Sequence, residues 1–386
     1  MRKYLYAVLG MIIMMLVGAI YAWSVICIPI KTEFPNWSSA SLALCFTICT
    51  MCFCLGGFFN AWALGKKPLF LGIGICIILY CSGLALSALT SNIVSLYIGF
   101  GVMIGFATGM MYNIIMGCIV PWFKQKTGFI SGVLLMSLGI GSFIIGKVYQ
   151  LLINTGKVSW QSIFLGYGII IFVFFFIGAI SLRRSPIIEN NNKNTFNYSN
   201  SYSSKDMIKS KIFWVLFFWG IINAGAGYML IAHANGILFE VNPSIDTSSA
   251  ATVVGLLGIF NGVGRAGYGF LYDIFGYRKC MLLIEVLLII CTLTLFLGLK
   301  MESVFWIVIG FGCGGLFFAG VAANTPPLIS EFFGEKYFAL NYAIINLCVL
   351  LASFGSTIAG ALYDSRGTYL SVVVLMAFVC IFSVMG

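Results

Sequence analysis

Apolar stretches of about 20 residues, the length an α-helix needs to cross a bilayer, recur from one end of this chain to the other. Inside hydrocarbon every backbone N–H and C=O must be bonded within its own segment, so such stretches must be helices. The pattern predicts spans at 4–30, 41–64, 68–89, 95–119, 128–152, 162–182, 212–236, 250–271, 279–299, 303–328, 336–361 and 369–386. Twelve spans make an all-α polytopic membrane protein. With 61% hydrophobic and only 8% charged residues in 386, the chain lacks the charge a soluble protein of that size needs for its surface. The first span follows Arg2 and Lys3 as a signal peptide would, but it runs too long and reaches Pro29 without a small-residue cleavage site.

The net charge of +10 sits in short runs between spans, with no dense basic domain, which points to membrane topology and not to nucleic acid. With the N-terminus cytoplasmic, 15 Lys and Arg fall on the inner side, from Arg2 and Lys3 to Lys336. Only Lys31, Lys147, Lys157, Lys300 and Arg366 fall outside. That bias predicts a multi-pass plasma-membrane protein with both termini cytoplasmic. The 13 cysteines lie mostly inside apolar spans, without metal-ligand or disulfide spacing, and read as small core side chains. Residues 183–211, rich in Asn, Ser and Lys, read as a cytoplasmic linker.

The two sides of that linker echo each other. GAIY at 18–21 pairs with GAGY at 225–228, LGKKP at 64–68 with FGYRK at 275–279, PWFKQK at 121–126 with SEFFGEK at 330–336, and GKVY at 146–149 with GALY at 360–363. Four matches in the same order predict two pseudo-symmetric six-helix bundles, 1–182 and 212–386, rocking about a shared site. Glycines at helix-packing spacings, such as Gly101, Gly105 and Gly109, fit close helix contacts.

One residue stands against the apolar pattern. Arg265, in GIFNGVGRAGYGFLYDIFGYRKC at 258–280, is a charge costing about 2.5–3.5 kcal/mol at a helix centre even on insertion scales. Helical periodicity places Asn261, Gly262 and Gly269 beside it on one face. A fixed guanidinium there selects anions and can hold a carboxylate through two parallel hydrogen bonds. The competing reading is a structural pair with Asp273, or a side chain snorkelling to the interface.

Further candidates are polar or amphipathic groups within spans. His233, the sole histidine, can donate one hydrogen bond or take a coupling proton, or simply be packed. Tyr21 and Tyr228 occupy repeat-related positions; Trp23, Tyr112 and Asn113 lie in neighbouring stretches, and Asn324 precedes Pro326 and Pro327, where an interruption of the tenth span is expected. Each ring competes with ordinary packing among 35 Phe and 18 Tyr. GVGRAG is not GxGxxG, no phosphate loop occurs, and no His, Cys or acidic cluster has ligand spacing, so neither enzyme, cofactor nor metal is expected.

These motifs resemble the major facilitator superfamily and, within it, the oxalate:formate antiporter and monocarboxylate transporter branch. GAIYAWSVICIP at 18–29, AGYMLIAH at 226–233 and NGVGRAGYGFLYDIFGYRK at 261–279 carry the resemblance, with WF at 122–123, FF at 332–333 and NY at 341–342. It implies the major facilitator fold, Arg265 as the carboxylate-binding arginine, and Gly269, Asp273, Gly276 and Arg278 as the gating loop. There are two departures. The first-half loop GGFFNAWALGKKP has Trp62 near the position of the usual aspartate, so the inner gate is expected to rely on the second-half loop. NYAIINLCVLLASFG has no positive charge around Val349, where an oxalate carrier would place a lysine. The expected function is secondary transport of a small monocarboxylate by alternating access, as a monomer, coupled to a proton or a counter-anion. A dicarboxylate exchanger using His233 or Lys147 as second cation, and a nontransporting sensor or scaffold, are the alternatives.

Overall fold

A computed structural model describes residues 2–37, 39–65, 67–123, 126–184, 201–245 and 247–385. Among these every regular element is helical, as apolar segments without an outside hydrogen-bond partner require. In chain order they are α1 (Arg2–Val17), α2 (Trp23–Glu33), α3 (Ser39–Phe59), α4 (Leu69–Ala88), α5 (Ile93–Leu96), α6 (Gly105–Ile119), α7 (Thr127–Asn154), α8 (Trp160–Ser181), α9 (Ser204–Lys209), α10 (Lys211–Val241), α11 (Thr247–Lys300), α12 (Val304–Phe333), α13 (Phe338–Asn346), α14 (Cys348–Ala352), α15 (Phe354–Arg366) and α16 (Leu370–Met385). Two π-helical segments, Asn60–Leu64 and Tyr97–Ile104, continue α3 and lead into α6.

Ten of the resulting stretches are long and apolar enough to span a membrane. One of them, Thr252–Lys300, is interrupted at Gly276, whose φ of 74° and ψ of 176° lie outside the helical region. A side chain at that φ would be strained, so glycine is the residue that permits the break. At the C-terminal end α16 contributes a further helix of 16 residues, apolar but for two serines.

Two local features differ from the sequence reading. The first span is not one helix: a 3₁₀ turn at Gly18–Ala22 separates α1 from α2. Gly18 lies where a Cβ would strike the Leu138 carbonyl, so a neighbouring backbone presses on the chain at the point where it tightens. The tenth span, in contrast, is not interrupted: α12 runs through Pro326 and Pro327. Of the linker, 185–200 lies outside the described residues, while Ser203 caps α9 by accepting from the Asp206 N–H.

By its contacts the chain divides into two compact units. Unit 1 holds Met1–Lys124, Ser137–Tyr202 and Phe333–Leu347. Within it α4 packs on α8, and α3 packs on α6 at a distance only glycine allows: a Cβ on Gly109 would overlap the Phe53 carbonyl. Unit 2 holds Gln125–Met136, Ser203–Phe332 and Cys348–Gly386. There α10 packs on α14 and α15, and α11 on α16, around a core that includes Leu230, Ile284, Leu288, Phe311 and Phe317. Each unit therefore contains one segment whose onward chain belongs to the other: the start of α7 in unit 2 and α13 in unit 1.

Candidate functional site

The strongest site in unit 2 is built on α11. The helical repeat sets Asn261 one turn before Arg265, and Arg265 Nε donates to Asn261 Oδ1 at 3.3 Å. Its Nη1 donates to the main-chain carbonyl of Leu135 on α7, also at 3.3 Å. The half-buried guanidinium thus meets two neutral acceptors, and no carboxylate pairs with it among the described residues. The alternative of an Arg265–Asp273 pair is not what forms: Asp273 is engaged elsewhere.

Asp273 turns to α7. Its Oδ1 accepts from the Gly128 N–H at 3.0 Å and its Oδ2 from the Phe129 N–H at 2.8 Å. The first N–H groups of a helix have no partner within it, so this carboxylate supplies a cap from another helix. Gly269 makes the approach possible, since a Cβ there would meet the Gly128 carbonyl, and Gly132 lies against the Arg265 carbonyl in the same way. Gly276 provides the helix break described above. Arg278, beyond it, is exposed; its Nε donates to Tyr277 Oη at 3.1 Å and its guanidinium lies over the Tyr277 ring. The structure therefore gathers Arg265, Asn261, Gly269 and Asp273 along one α7–α11 contact and leaves Arg278 outside it.

Elsewhere in unit 2, His233 is held on both sides. One ring nitrogen lies 2.9 Å from the Ser356 carbonyl, which can only accept, and the other 3.3 Å from Tyr369 Oη. The carbonyl requires a proton on the nitrogen that faces it, while the tyrosine hydroxyl can either donate or accept. Glu240, which no motif marks, accepts from Thr368 Oγ1 and from the Tyr369 N–H and anchors the same corner. Tyr228 stands edge-on to Phe318 at 5.3 Å. Asn324 is fully buried, and its amide has no hydrogen-bond partner among the described residues.

In unit 1, Trp23 is buried, its ring tilted against Phe100 at 4.3 Å, and its indole N–H is spent on the Leu42 carbonyl. Tyr21 is exposed and faces Phe46. Tyr112 Oη lies 2.5 Å from Tyr342 Oη with the rings stacked. Asn113 Nδ2 donates to the Ala339 carbonyl at 3.0 Å, and Asn113 Oδ1 accepts from Asn60 Nδ2 at 3.0 Å. Asn60 and Tyr342 belong to this cluster although no motif pointed to Asn60; its one signal is a lone amide in an otherwise apolar loop. A groove of about 290 Å³ between α4 and α8, lined by Leu84, Leu165, Ile169 and Phe172 among others, has no charged lining residue and offers nothing to an anion.

The profile of the Major Facilitator Superfamily matches residues 5–353 and, overlapping them, 234–385. The chain belongs to the Major Facilitator Superfamily. Membership places it among transport proteins and not among enzymes, and with ten apolar helices it is a multi-pass plasma-membrane protein. The fold is that of the superfamily: the Escherichia coli fucose:proton symporter FucP superposes with a TM-score of 0.72 at 13% identity, covering 100% of this chain and 99% of that one. The proton:xylose symporter XylE gives 0.67, also at 13%, covering 99% and 94%. In sequence the chain is 26% identical over 258 residues to the uncharacterized MFS-type transporter YhjX of E. coli strain K12, covering 67% of this chain and 63% of that one. It is 22% identical over 314 residues to monocarboxylate transporter 12 of Mus musculus, covering 73% of this chain and 63% of that one. The matched region thus spans 63% of the length of each of these two relatives.

Proposed function

We propose that this superfamily member is a secondary carrier of small monocarboxylates, working by alternating access with Arg265 as the anion-binding residue. The observation that carries the reading is the state of that guanidinium: half-buried in an apolar helix and bonded, among the described residues, to the neutral Asn261 amide oxygen and Leu135 carbonyl. A guanidinium stays charged in proteins, so a site of this kind is electrostatically incomplete until an anion arrives. A carboxylate offers two oxygens to the planar fork and replaces the Leu135 carbonyl with a stronger, charge-assisted pair. The anion leaves water without losing a charge partner, which lowers the cost of its passage. The likeness to monocarboxylate transporter 12 supports the same substrate class.

The architecture that serves this reading has twelve spans in two six-helix bundles, 1–182 and 212–386, joined by 183–211, with both ends of the chain cytoplasmic and a monomer as the working unit. The break at Gly276 divides one long helix into two spans, and α16 supplies the last. Asn261, bonded to Arg265, is the candidate to share the ligand with it, while Gly269, Asp273, Gly276 and Arg278 form the gating loop. A dicarboxylate exchanger needs a second cation, and both ring nitrogens of His233 are already engaged by the Ser356 carbonyl and Tyr369 Oη.

The test is uptake of labelled formate, acetate, lactate, pyruvate and oxalate into proteoliposomes, with and without an internal anion and an imposed pH gradient. Wild type is expected to accumulate monocarboxylates, and Arg265→Ala to lose uptake while remaining folded. Internal-anion stimulation identifies exchange, and dependence on inward proton movement identifies symport. If folded wild type moves no carboxylate in any of these conditions, the carrier assignment for this class fails and the nontransporting sensor takes its place.

A further inference from the structure

Two helical segments are claimed by one unit while their continuation belongs to the other: the start of α7 up to Met136, and α13 up to Leu347. Any change of state that moves one unit must bend the chain near those residues or release the segment from its dock. The α7 segment is docked by a carboxylate, Asp273. The corresponding loop of the first half, GGFFNAWALGKKP, contains no acid, and Glu33 is the only carboxylate in residues 1–188. Glu33 is committed to Trp160 Nε1 at 2.6 Å and to Gln161, where it ties the end of α2 to the start of α8. The α13 dock is therefore made without a first-half carboxylate.

We propose that Asn60 is a positioning residue of this gate: it orients Asn113 so that the Asn113 amide grips the Ala339 carbonyl, an uncharged relay in place of the carboxylate. The inference rests on the alternating-access reading for its functional meaning, but its geometry stands alone. Both amides are buried, and the relay has one consistent direction. Asn113 spends an N–H on the Ala339 carbonyl at 3.0 Å, which leaves its oxygen to be satisfied from elsewhere, and Asn60 Nδ2 meets it at 3.0 Å. Without Asn60 the Asn113 oxygen is buried and unpaired, and the amide gains by rotating away from Ala339. Local structure is shaped for Asn60 to reach inward. It opens the π-helical segment Asn60–Leu64, and π turns re-aim side chains relative to an α-helix. Gly72 leaves the space its amide occupies, since a Cβ there would sit 3.1 Å from Asn60 Oδ1. Tyr112 and Tyr342, joined through their hydroxyls, attach the next turn of α13 to the same helix.

The experiment is hydrogen–deuterium exchange by mass spectrometry on the full chain in lipid nanodiscs, comparing wild type with Asn60→Ala and Asn60→Asp. The aspartate variant accepts but does not donate when ionised, so it draws the Asn113 N–H away from Ala339. Both are expected to raise exchange in 338–346 by about fivefold, the loss of roughly one buried hydrogen bond, and to leave 127–136 unchanged. Gly72→Ala, which crowds the Asn60 amide without removing it, is expected to act in the same direction and covers the case in which an Asn60 variant fails to fold. In proteoliposomes the unlatched variants are expected to raise KM for lactate on one membrane face and lower it on the other. A merely structural role would lower the maximal rate without that split. Unchanged exchange in 338–346 in a folded variant, or equal loosening of 127–136, overturns the proposal. Local loosening in a protein that moves no carboxylate upholds the latch and rejects the substrate assignment instead.

Discussion

The start of α7 and the whole of α13 are docked by opposite chemistries. Asp273 offers two charged oxygens to N–H groups that the α7 helix cannot satisfy itself, and it does so at an exposed position. Asn113 adds a bond to a carbonyl already inside a helix, and does so in a buried setting. The first dock is a cap, sensitive to charge and to whatever reaches Asp273 from water. The second is a neutral contact whose strength depends on packing and on the orientation of two amides. Around the first, backbones touch through Gly269 and Gly128; around the second, Gly117 faces Ala339, its methyl group nearest. The two units thus hold these segments by unlike means.

The largest effect is expected from breaking the closer of the two contacts. Gly269→Ala forces a methyl group into the Gly128 carbonyl, where neither backbone can give without moving a helix. The expected cost is about 1–3 kcal/mol, in the range of overpacked cores, read as a lower unfolding temperature in detergent. Gly117→Ala would place its methyl 2.8 Å from the Ala339 methyl, against 2.1 Å from the Gly128 carbonyl oxygen at Gly269, so its shift should be smaller. An equal or larger shift at Gly117 would reverse the ranking of the two docks.

Asp273→Ala comes next. Loss of a helix cap costs about 1 kcal/mol, reduced here because the carboxylate is exposed and screened. Exchange is expected to rise in 127–136 and to stay at the wild-type level in 338–346, the mirror image of the Asn60 variants. Tyr342→Phe should follow, removing one hydroxyl contact to Tyr112 while keeping the stacked ring, at about 0.5–1 kcal/mol. Its exchange signature should be confined to 338–346; a change in 127–136 would show that the docks are coupled.

Much of this molecule was legible in its sequence, and the part that was not has a physical reason. Apolar spans announce helices because hydrocarbon permits little else, and the glycine of FGYRK marks the break at 276. The Asn261–Arg265 bond follows from helical spacing. The 3₁₀ turn at Gly18–Ala22 and the unbroken passage of α12 through Pro326 and Pro327 were not legible, because neighbouring helices decide both. Nor were the acceptors of Arg265 Nη1 and Asn113 Nδ2, since both are main-chain carbonyls and any residue would have supplied them. Trp62 advertised the missing acid, but only the packing of α13 shows Asn60, two residues earlier, turned inward against Asn113.

The smallest effect is the one that isolates charge from packing. Raising salt shortens the Debye length from about 10 Å at 0.1 M to about 3 Å at 1 M. The Asp273 carboxylate is reached by solvent, so its attraction for the α7 N-terminus, including the positive end of the helix dipole, weakens as ions gather. The Asn60–Asn113–Ala339 relay carries no net charge and is buried, so ions have nothing to screen. Exchange in 127–136 should therefore rise by less than about twofold over that range, while exchange in 338–346 stays flat. In Asp273→Asn, which keeps one acceptor oxygen and discards the charge, the salt dependence of 127–136 should vanish. If it persists there, the dependence comes from basic residues such as Lys126 at the same helix end, and the contrast between the docks is one of geometry alone.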